Sequence, residues 1–263
     1  MNDVTGPGEI VSGLAAEIVA LQIAGVFVVF ARIGTAMMFL PAFGERGIPA
    51  RMRLAAAILT TLALTPAIGL PGMAPDRPAL FVALIGIEAA IGAWLGLAAR
   101  TLLAALQFAG AMAGYAAGLA NAFAPSVGPF QGATSVANAL MLGAVALIFA
   151  TNTHHVMLDA MLMSYEVMPI GGIMPGDMAR EMALAGARSL YLGAMIAAPF
   201  LCVSVVVNLG LGLANRMMPT LPVFFVAGPV LIGVGLLVLA RVAPMMLETV
   251  RGDLARWLGL LVF

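Results

Sequence analysis

The sequence has few charged residues for a chain of 263 residues. Only 9% of them are Asp, Glu, Lys or Arg, whereas 63% are hydrophobic. A soluble domain has about a quarter of its residues charged and under half apolar. A water-facing surface cannot be built from this composition, and the mean hydropathy is +1.10. We therefore predict an integral membrane protein.

Other absences exclude further classes of protein. Lysine is absent, the net charge is zero and no run of like charge occurs. The sequence therefore lacks the clustered basic residues that a nucleic-acid-binding surface needs. The single cysteine, Cys202, cannot form an internal disulfide. His154 and His155 are the only histidines, whereas a zinc site needs three or four converging ligands. Because catalytic and phosphate-binding motifs are also missing, we expect no enzymatic activity, cofactor or metal.

Long apolar segments fill the chain. A helix needs about 20 apolar residues to cross a bilayer. Seven candidate segments lie at 14–43, 54–70, 79–99, 101–124, 136–163, 189–214 and 221–240, and an amphipathic tail follows at 247–263. No linker divides them, so we predict an all-α, polytopic membrane protein with one domain over 1–263. The join at Arg100 is too short for a hairpin, and the third and fourth segments alternatively form one bent helix.

Glycines recur at four-residue spacing. Small residues at this spacing lie on one helix face and let two helices approach closely in lipid. The clearest runs are Gly92 with Gly96, and Gly110 with Gly114 and Gly118. We predict that both faces pack tightly against neighbouring helices.

Polar residues inside apolar segments are costly and are therefore functional candidates. They are Glu17, Arg32, Glu88, Gln107, Asn138, Asn152 and Asp159, and His155 lies one helical turn before Asp159. A proton relay is one interpretation. We favour a buried network of hydrogen bonds and ion pairs, because no segment carries several acids on one face. Its predicted members are Arg32, Glu88, Gln107, Asn152, His155 and Asp159.

Ordered blocks of residues carry a family resemblance. They are Ala31 to Gly34, Phe39 to Gly44, Ile48 to Leu54, Glu88 with Gly92 and Gly96, Gln107 with Gly110, Gly118 to Pro125, Ile148 to His155, Ser164 to Gly171, Val207 to Gly210, Arg216 to Pro219 and Val223 to Phe225. This set spans nearly the whole chain and resembles the FliR family. The sequence departs from the family pattern in two places: Ala124 replaces an acidic residue, and Thr220 to Pro222 replace Gln-x-Asn.

The resemblance implies a subunit of the bacterial flagellar protein export gate. Such a subunit is a multi-pass protein of the inner membrane at the flagellar basal body. It packs with FliP-like and FliQ-like partners as tilted helical hairpins in a right-handed helical assembly around a conduit. FlhA-like and FlhB-like proteins work beside it, and its substrates are unfolded flagellar subunits.

The resemblance also maps a pore plug onto the segment from Phe123 to Gly132. Its residues are Phe123, Ala124, Pro125, Ser126, Val127, Gly128, Pro129, Phe130, Gln131 and Gly132. The segment is uncharged, its prolines and glycines oppose regular helix, and two phenyl rings are large enough to block a lumen. The alternative is an ordinary loop between two helices.

Two other functions stay open from the sequence. One is the corresponding subunit of a virulence injectisome, which belongs to the same family. The other is a secondary transporter for a small solute, because such proteins also have Gly/Pro-interrupted segments and acids within the membrane. The segments show no convincing inverted repeat.

Overall fold

The computed structural model describes residues 7–45, 47–69, 78–116, 118, 131–217 and 223–260. All regular elements within these ranges are α-helices. In chain order they are α1 Pro7–Phe39, α2 Ala50–Ile68, α3 Pro78–Ala116, α4 Gln131–Ala150, α5 Thr153–Val167, α6 Pro175–Met217 and α7 Val223–Leu260. The prediction of an all-α fold is confirmed.

Five helices of the described chain are long and apolar enough to cross a membrane. Their candidate spans are Ala15–Phe39, Ala50–Ile68, Pro78–Ala116, Pro175–Met217 and Gly228–Gly259. The pair α4 and α5 passes the same test only as a bent unit, which raises the count to six. These lengths and compositions fit a polytopic membrane protein.

The seven predicted segments differ from the helices at two joins. Arg100 does not separate two segments, because α3 runs unbroken from Pro78 to Ala116. Arginine is a good helix former, and neither proline nor glycine lies between Leu97 and Leu106. The amphipathic tail is likewise not a separate element, because α7 continues through it to Leu260. The count of seven separate segments is therefore wrong.

The predicted segment 136–163 is broken rather than continuous. α4 ends at Ala150, α5 begins at Thr153, and the two helix axes differ by 77°. Asn152 between them has a φ of 56°, in the left-handed region. Asparagine is among the few non-glycine residues that adopt this conformation readily. The break therefore has a local chemical cause that a hydropathy pattern does not detect.

The helices divide into two compact units. The first comprises residues 1–97, 157–179 and 260–263, and the second comprises 98–156 and 180–259. Both contain fully buried apolar side chains, such as Val29 and Ile91 in the first unit and Leu106 and Leu254 in the second. The single-domain organisation stays a prediction.

Two glycines bring α3 and α1 into close contact in the first unit. A Cβ atom placed on Gly92 would collide with the carbonyl oxygen of Arg32. One on Gly96 would lie 2.7 Å from Phe39 Cβ and 2.8 Å from the Ala36 carbonyl oxygen. Only glycine fits at either position, since the obstructing atoms include backbone that cannot turn away.

Close contacts in the second unit also depend on glycine. A Cβ on Gly110 of α3 would lie 2.7 Å from Ala137 Cα of α4. A Cβ on Gly193 of α6 would lie 2.9 Å from the Phe108 ring, a contact that the glycine spacing did not predict. Gly114 is buried. The second unit thus uses the same small-residue device as the first.

Gly118 does not belong to this packing face, and its assignment there is wrong. α3 ends at Ala116, and Gly118 has a φ of 67°. Its backbone N–H donates to the Tyr115 carbonyl oxygen at 3.0 Å. A glycine with positive φ just after a helix is a common way to end the helix. The four-residue spacing of glycines therefore continues past the end of the helix.

We expect Gly92→Ala to destabilise the protein by about 1–3 kcal/mol, because the added methyl group would overlap the backbone of α1. Gly86→Ala on the same helix is the matched control, since a Cβ atom added there would meet nothing within 4 Å in the described chain. That control should be neutral or slightly stabilising because alanine favours helix. Thermal unfolding of both purified variants in detergent measures the difference, and equal melting temperatures would contradict the packing argument.

Candidate functional site

A buried ion pair joins α1 to α3 in the first unit. Arg32 Nε donates to Glu88 Oε2 at 2.8 Å, and Nη2 donates to Oε1 at 3.1 Å. Arg32 is 2% exposed and Glu88 is 0% exposed. This bidentate arrangement matches the planar guanidinium to the planar carboxylate. Each charge therefore has its partner inside the protein.

Two further segments of the chain complete the cluster. Arg32 Nη1 donates to the Ser164 carbonyl oxygen at 2.8 Å and to its Oγ at 3.3 Å. The backbone N–H of Gly171 donates to Glu88 Oε1 at 2.9 Å. Gly171 has a φ of 82°, a conformation that glycine adopts without strain. α1, α3, α5 and the turn after α5 are thus held at one point.

Tyr165 closes one side of the cluster. The Arg32 Cζ atom lies 4.0 Å from the centroid of the Tyr165 ring, which is the geometry of a cation–π contact. The Tyr165 hydroxyl donates to the Val29 carbonyl oxygen at 3.3 Å. The aromatic ring shields the guanidinium, and its polar end stays hydrogen-bonded.

The geometry leaves the cluster little scope for proton transfer. Both oxygens of Glu88 accept hydrogen bonds, and the side chain is fully buried. A relay needs a carboxylate that can exchange a proton with water or with a neighbouring acid. A paired carboxylate without solvent contact is instead suited to fixing the positions of helices. The arrangement therefore favours the structural interpretation of Arg32 and Glu88.

The other predicted members of the buried network lie elsewhere. Gln107, Asn152, His155 and Asp159 are exposed on the single chain, which corrects their assignment to a buried network with Arg32 and Glu88. The reason is rotational: hydropathy places a residue in a segment but does not say which face of the packed helix it occupies. Glu17 and Asn138 are exposed as well.

His155 and Asp159 are one turn apart on α5, but no hydrogen bond or ion pair joins their side chains in the described part of the chain. The His155 ring lies 4.2 Å, centroid to centroid, from the ring of His154, which in turn lies 5.3 Å from Phe149. Within the described ranges no group of three or more His, Cys, Asp or Glu side chains is placed to hold a metal ion.

A second charged cluster, in the second unit, was missed from the sequence. Arg188 of α6 donates to Asp253 Oδ1 of α7 through Nε at 3.0 Å and Nη2 at 2.5 Å. Arg256 donates to the same oxygen at 3.3 Å. Asp253 is 2% exposed. The available signal was its spacing from Val250 and Trp257, three residues before and four after, which puts the acid on the apolar face of α7.

The predicted plug lies mostly outside the described residues. Phe123, Ala124, Pro125, Ser126, Val127, Gly128, Pro129 and Phe130 all fall in the range that the structure does not describe. Only its last two residues are placed, because Gln131 and Gly132 form the first residues of α4.

We expect Glu88→Ala to cost about 3–5 kcal/mol of stability, because it strands the buried charge of Arg32. The double variant with Arg32→Met and Glu88→Leu should lose far less than the sum of the two single changes. Glu248→Ala is the control, since its 2.7 Å pair with Arg251 is largely exposed and worth under about 1 kcal/mol. If Glu88→Ala leaves the melting temperature unchanged, the structural interpretation of the pair is overturned.

Known proteins resemble this chain along most of its length. The family described as bacterial export proteins, family 1, matches residues 23–257. The flagellar biosynthetic protein FliR of Caulobacter vibrioides is 34% identical over 225 residues, covering 84% of this chain and 89% of that protein. FliR of Escherichia coli is 34% identical over 226 residues, covering 82% of each chain. FliR of Bacillus subtilis is 30% identical over 218 residues, covering 80% of this chain and 83% of that protein. This chain belongs to the FliR family of bacterial export proteins.

Proposed function

We propose that this chain is a subunit of the flagellar protein export gate in the bacterial inner membrane. In this proposal it forms a gated conduit with FliP-like and FliQ-like partners, beside FlhA-like and FlhB-like proteins. Unfolded flagellar subunits pass through the conduit during assembly. Membership in the FliR family supports the proposal, as do the flagellar names of its relatives.

The observation that carries the proposal is the exposure of amide side chains on apolar helices. Gln107 of α3, Asn138 of α4 and Asn208 of α6 are all exposed on the single chain. Amide groups facing hydrocarbon lose their hydrogen bonds to water, which is costly unless another helix or a water-filled passage supplies partners. These three residues all belong to the second unit. We infer that its surface faces partner subunits or a conduit rather than lipid alone.

Asn208 is the clearest case. Residues 189–215 of α6 carry no charged side chain, and Asn208 lies within this stretch. Its Nδ2 donates to the carbonyl oxygen and Oγ of Ser204, one turn earlier on the same helix. Its exposed amide therefore has capacity left for a helix from another chain. Val205, Leu209 and Leu213 nearby are also exposed, which gives that helix an apolar surface to pack against.

Helix length is a second support for the proposal. α3, α6 and α7 have 39, 43 and 38 residues, or about 57–65 Å at 1.5 Å per residue, whereas the hydrocarbon core is about 30 Å thick. The charged residues of α6 before its last turn lie at 177–188, and those of α7 begin at Arg241. Long helices with one apolar and one charged part suit an assembly that extends beyond the bilayer plane.

The proposed mechanism is gating rather than chemistry. In the resting conduit, the segment Phe123 to Gly132 blocks the lumen with uncharged, bulky side chains. Apolar constrictions exclude ions because water leaves them, as well as by their bulk. Substrate displaces the segment during export, and partner proteins supply the energy. The support is the composition of the segment and its position between α3 and α4.

Flagellar export is favoured over the two alternative functions. An injectisome subunit would have the same fold, but the relatives named above are flagellar proteins. A solute transporter would complete its own polar pathway within one chain. The exposed amides of the second unit instead favour a chain that is completed by neighbours.

Deleting the gene from its own bacterium tests the proposal directly. We expect hook and filament subunits to disappear from the culture medium and to return when a plasmid copy is supplied. A tagged copy should co-purify with small apolar membrane proteins. Normal secretion by the deletion strain, together with a tagged chain that is stable alone, would overturn the proposal and favour a transporter.

We expect Asn208→Leu to weaken subunit association by about 0.6–1.7 kcal/mol, the range for hydrogen bonds between membrane helices. Val206→Leu is the control, since Val206 is 69% exposed on the same helix and its change keeps an apolar side chain. The measurement is the yield of co-purified partners across a series of detergent concentrations. Identical yields for the two variants would show that Asn208 does not contact a partner.

We expect the double variant Phe123→Ala and Phe130→Ala to leave the complex assembled and to raise its ion conductance, because the seal loses two phenyl rings. Phe27→Ala is the control, since Phe27 is 57% exposed on α1, outside the segment. Current is measured across a planar bilayer, and sensitivity to small toxic solutes is measured in cells. If the assembled double variant is as tight as the control, the seal lies elsewhere.

A further inference from the structure

An apolar groove runs between α1 and α2 in the first unit. Its cavity has a volume of about 240 Å³. Small residues form its floor and larger apolar side chains form its walls; they are Ala31, Gly34 and Ala57 on the floor and Phe30, Met38 and Leu54 on the walls. The floor residues are buried, whereas Met38 is 55% and Leu54 is 53% exposed. The groove is therefore accessible from outside at its rim, and its buried floor is apolar.

One charged side chain, Arg53 of α2, also lines the groove. Its Nη2 donates to the carbonyl oxygens of Glu45 at 2.8 Å and Ile48 at 3.3 Å. Its Nε is buried and has no hydrogen-bond partner within the described chain. A buried donor without a partner is costly. The guanidinium is thus held beside the groove by two carbonyl groups, and one of its donors is unused within the described chain.

The sequence around the start of α2 carries excess positive charge. Between residues 40 and 54 the sequence has Arg46, Arg51 and Arg53 against the single acid Glu45. α2 begins at Ala50 with no acidic residue in its first turn and no side-chain cap. Cationic side chains at a helix N-terminus oppose the helix dipole. An anion bound beside Arg53 would relieve both the repulsion and the unused donor.

We propose that the groove binds one anionic phospholipid, with an acyl chain between α1 and α2 and its phosphate accepting hydrogen bonds from Arg53. The charge beside the groove supports this occupant over a helix of a partner subunit. The groove of about 240 Å³ has room for part of an acyl chain, and the Arg53 guanidinium matches a phosphate better than it matches an apolar side chain of another helix. Basic pockets between membrane helices are known to favour anionic headgroups. The proposal requires only that α1 and α2 lie in a membrane, so it stands apart from the export function.

Native mass spectrometry of the detergent-purified protein, with whatever subunits accompany it, tests the proposal. The wild-type protein should retain phosphatidylglycerol or cardiolipin in preference to phosphatidylethanolamine. Arg53→Gln should reduce the retained anionic lipid about five-fold, the effect expected of one basic residue near an anionic headgroup. Ala57→Leu, which fills the buried floor, should remove it. Arg180→Gln is the matched control, because Arg180 is exposed on α6 and does not line the groove.

A second measurement needs no variant and covers the case in which Arg53→Gln fails to fold. The wild-type protein is titrated with short-chain phosphatidylglycerol or phosphatidylcholine while its melting temperature is followed. We expect a saturable rise with the anionic lipid only, because a ligand that binds the folded state stabilises it. Equal rises with both lipids would overturn the proposal, as would equal lipid retention by Arg53→Gln and Arg180→Gln. Crosslinking of Leu54→Cys to a partner subunit would assign the groove to an interface instead.

Discussion

The ion pair between Arg32 and Glu88 is the interaction on which the first unit depends. In an apolar surrounding, separating the two charges would leave each without its only oppositely charged partner in the cluster. The pair is made possible by the glycines beside it. Glu88, Gly92 and Gly96 are spaced by four residues, so they share one face of α3. Gly92 meets the backbone of α1 at Arg32 itself. The close approach of the two backbones therefore also brings the Arg32 and Glu88 side chains within hydrogen-bond distance of each other.

The second unit also combines close helix contacts with a buried ion pair. Gly110 and Gly193 again allow close helix contact, and Arg188 pairs with the buried Asp253. Its apolar helices nevertheless leave amide side chains exposed, and Asp253 Oδ2 is buried without a partner in the described chain. A membrane protein that is complete by itself would satisfy such groups internally. The charged cluster of the first unit is satisfied internally, but both units expose amide side chains, such as Gln22 and Asn208. Both also hold a buried polar atom without a partner in the described chain, Arg53 Nε in the first and Asp253 Oδ2 in the second.

Charge placement along the helices separates lipid-facing parts from the rest. The uncharged stretch of α6 at 189–215 is long enough to cross a bilayer, and the charged stretch at 177–188 precedes it. α7 has the reverse order, with its charges from Arg241 onward. The start of α2, with Arg51 and Arg53, forms another charged region, and the apolar groove is lined by Arg53 there. The charged side chains of these helices are therefore concentrated in a few short stretches of the sequence.

The sequence by itself determined the membrane class, the helical fold and the need of Arg32 and Glu88 for partners. The composition indicates that the chain is surrounded by lipid or by other apolar helices, and the four-residue spacing indicates which residues share a helix face. Both are local properties of the sequence. Only the tertiary structure decided which partners meet. Arg32 contacts residues 56 and 132 positions away, while Gln107 and Asp159 turn outward. The burial of Asp253 was also decided there. The continuity of α3 at Arg100 and the break at Asn152 instead have local causes that hydropathy does not detect. Hydropathy counts residues along a segment, but rotation and packing of whole helices select the face that becomes buried.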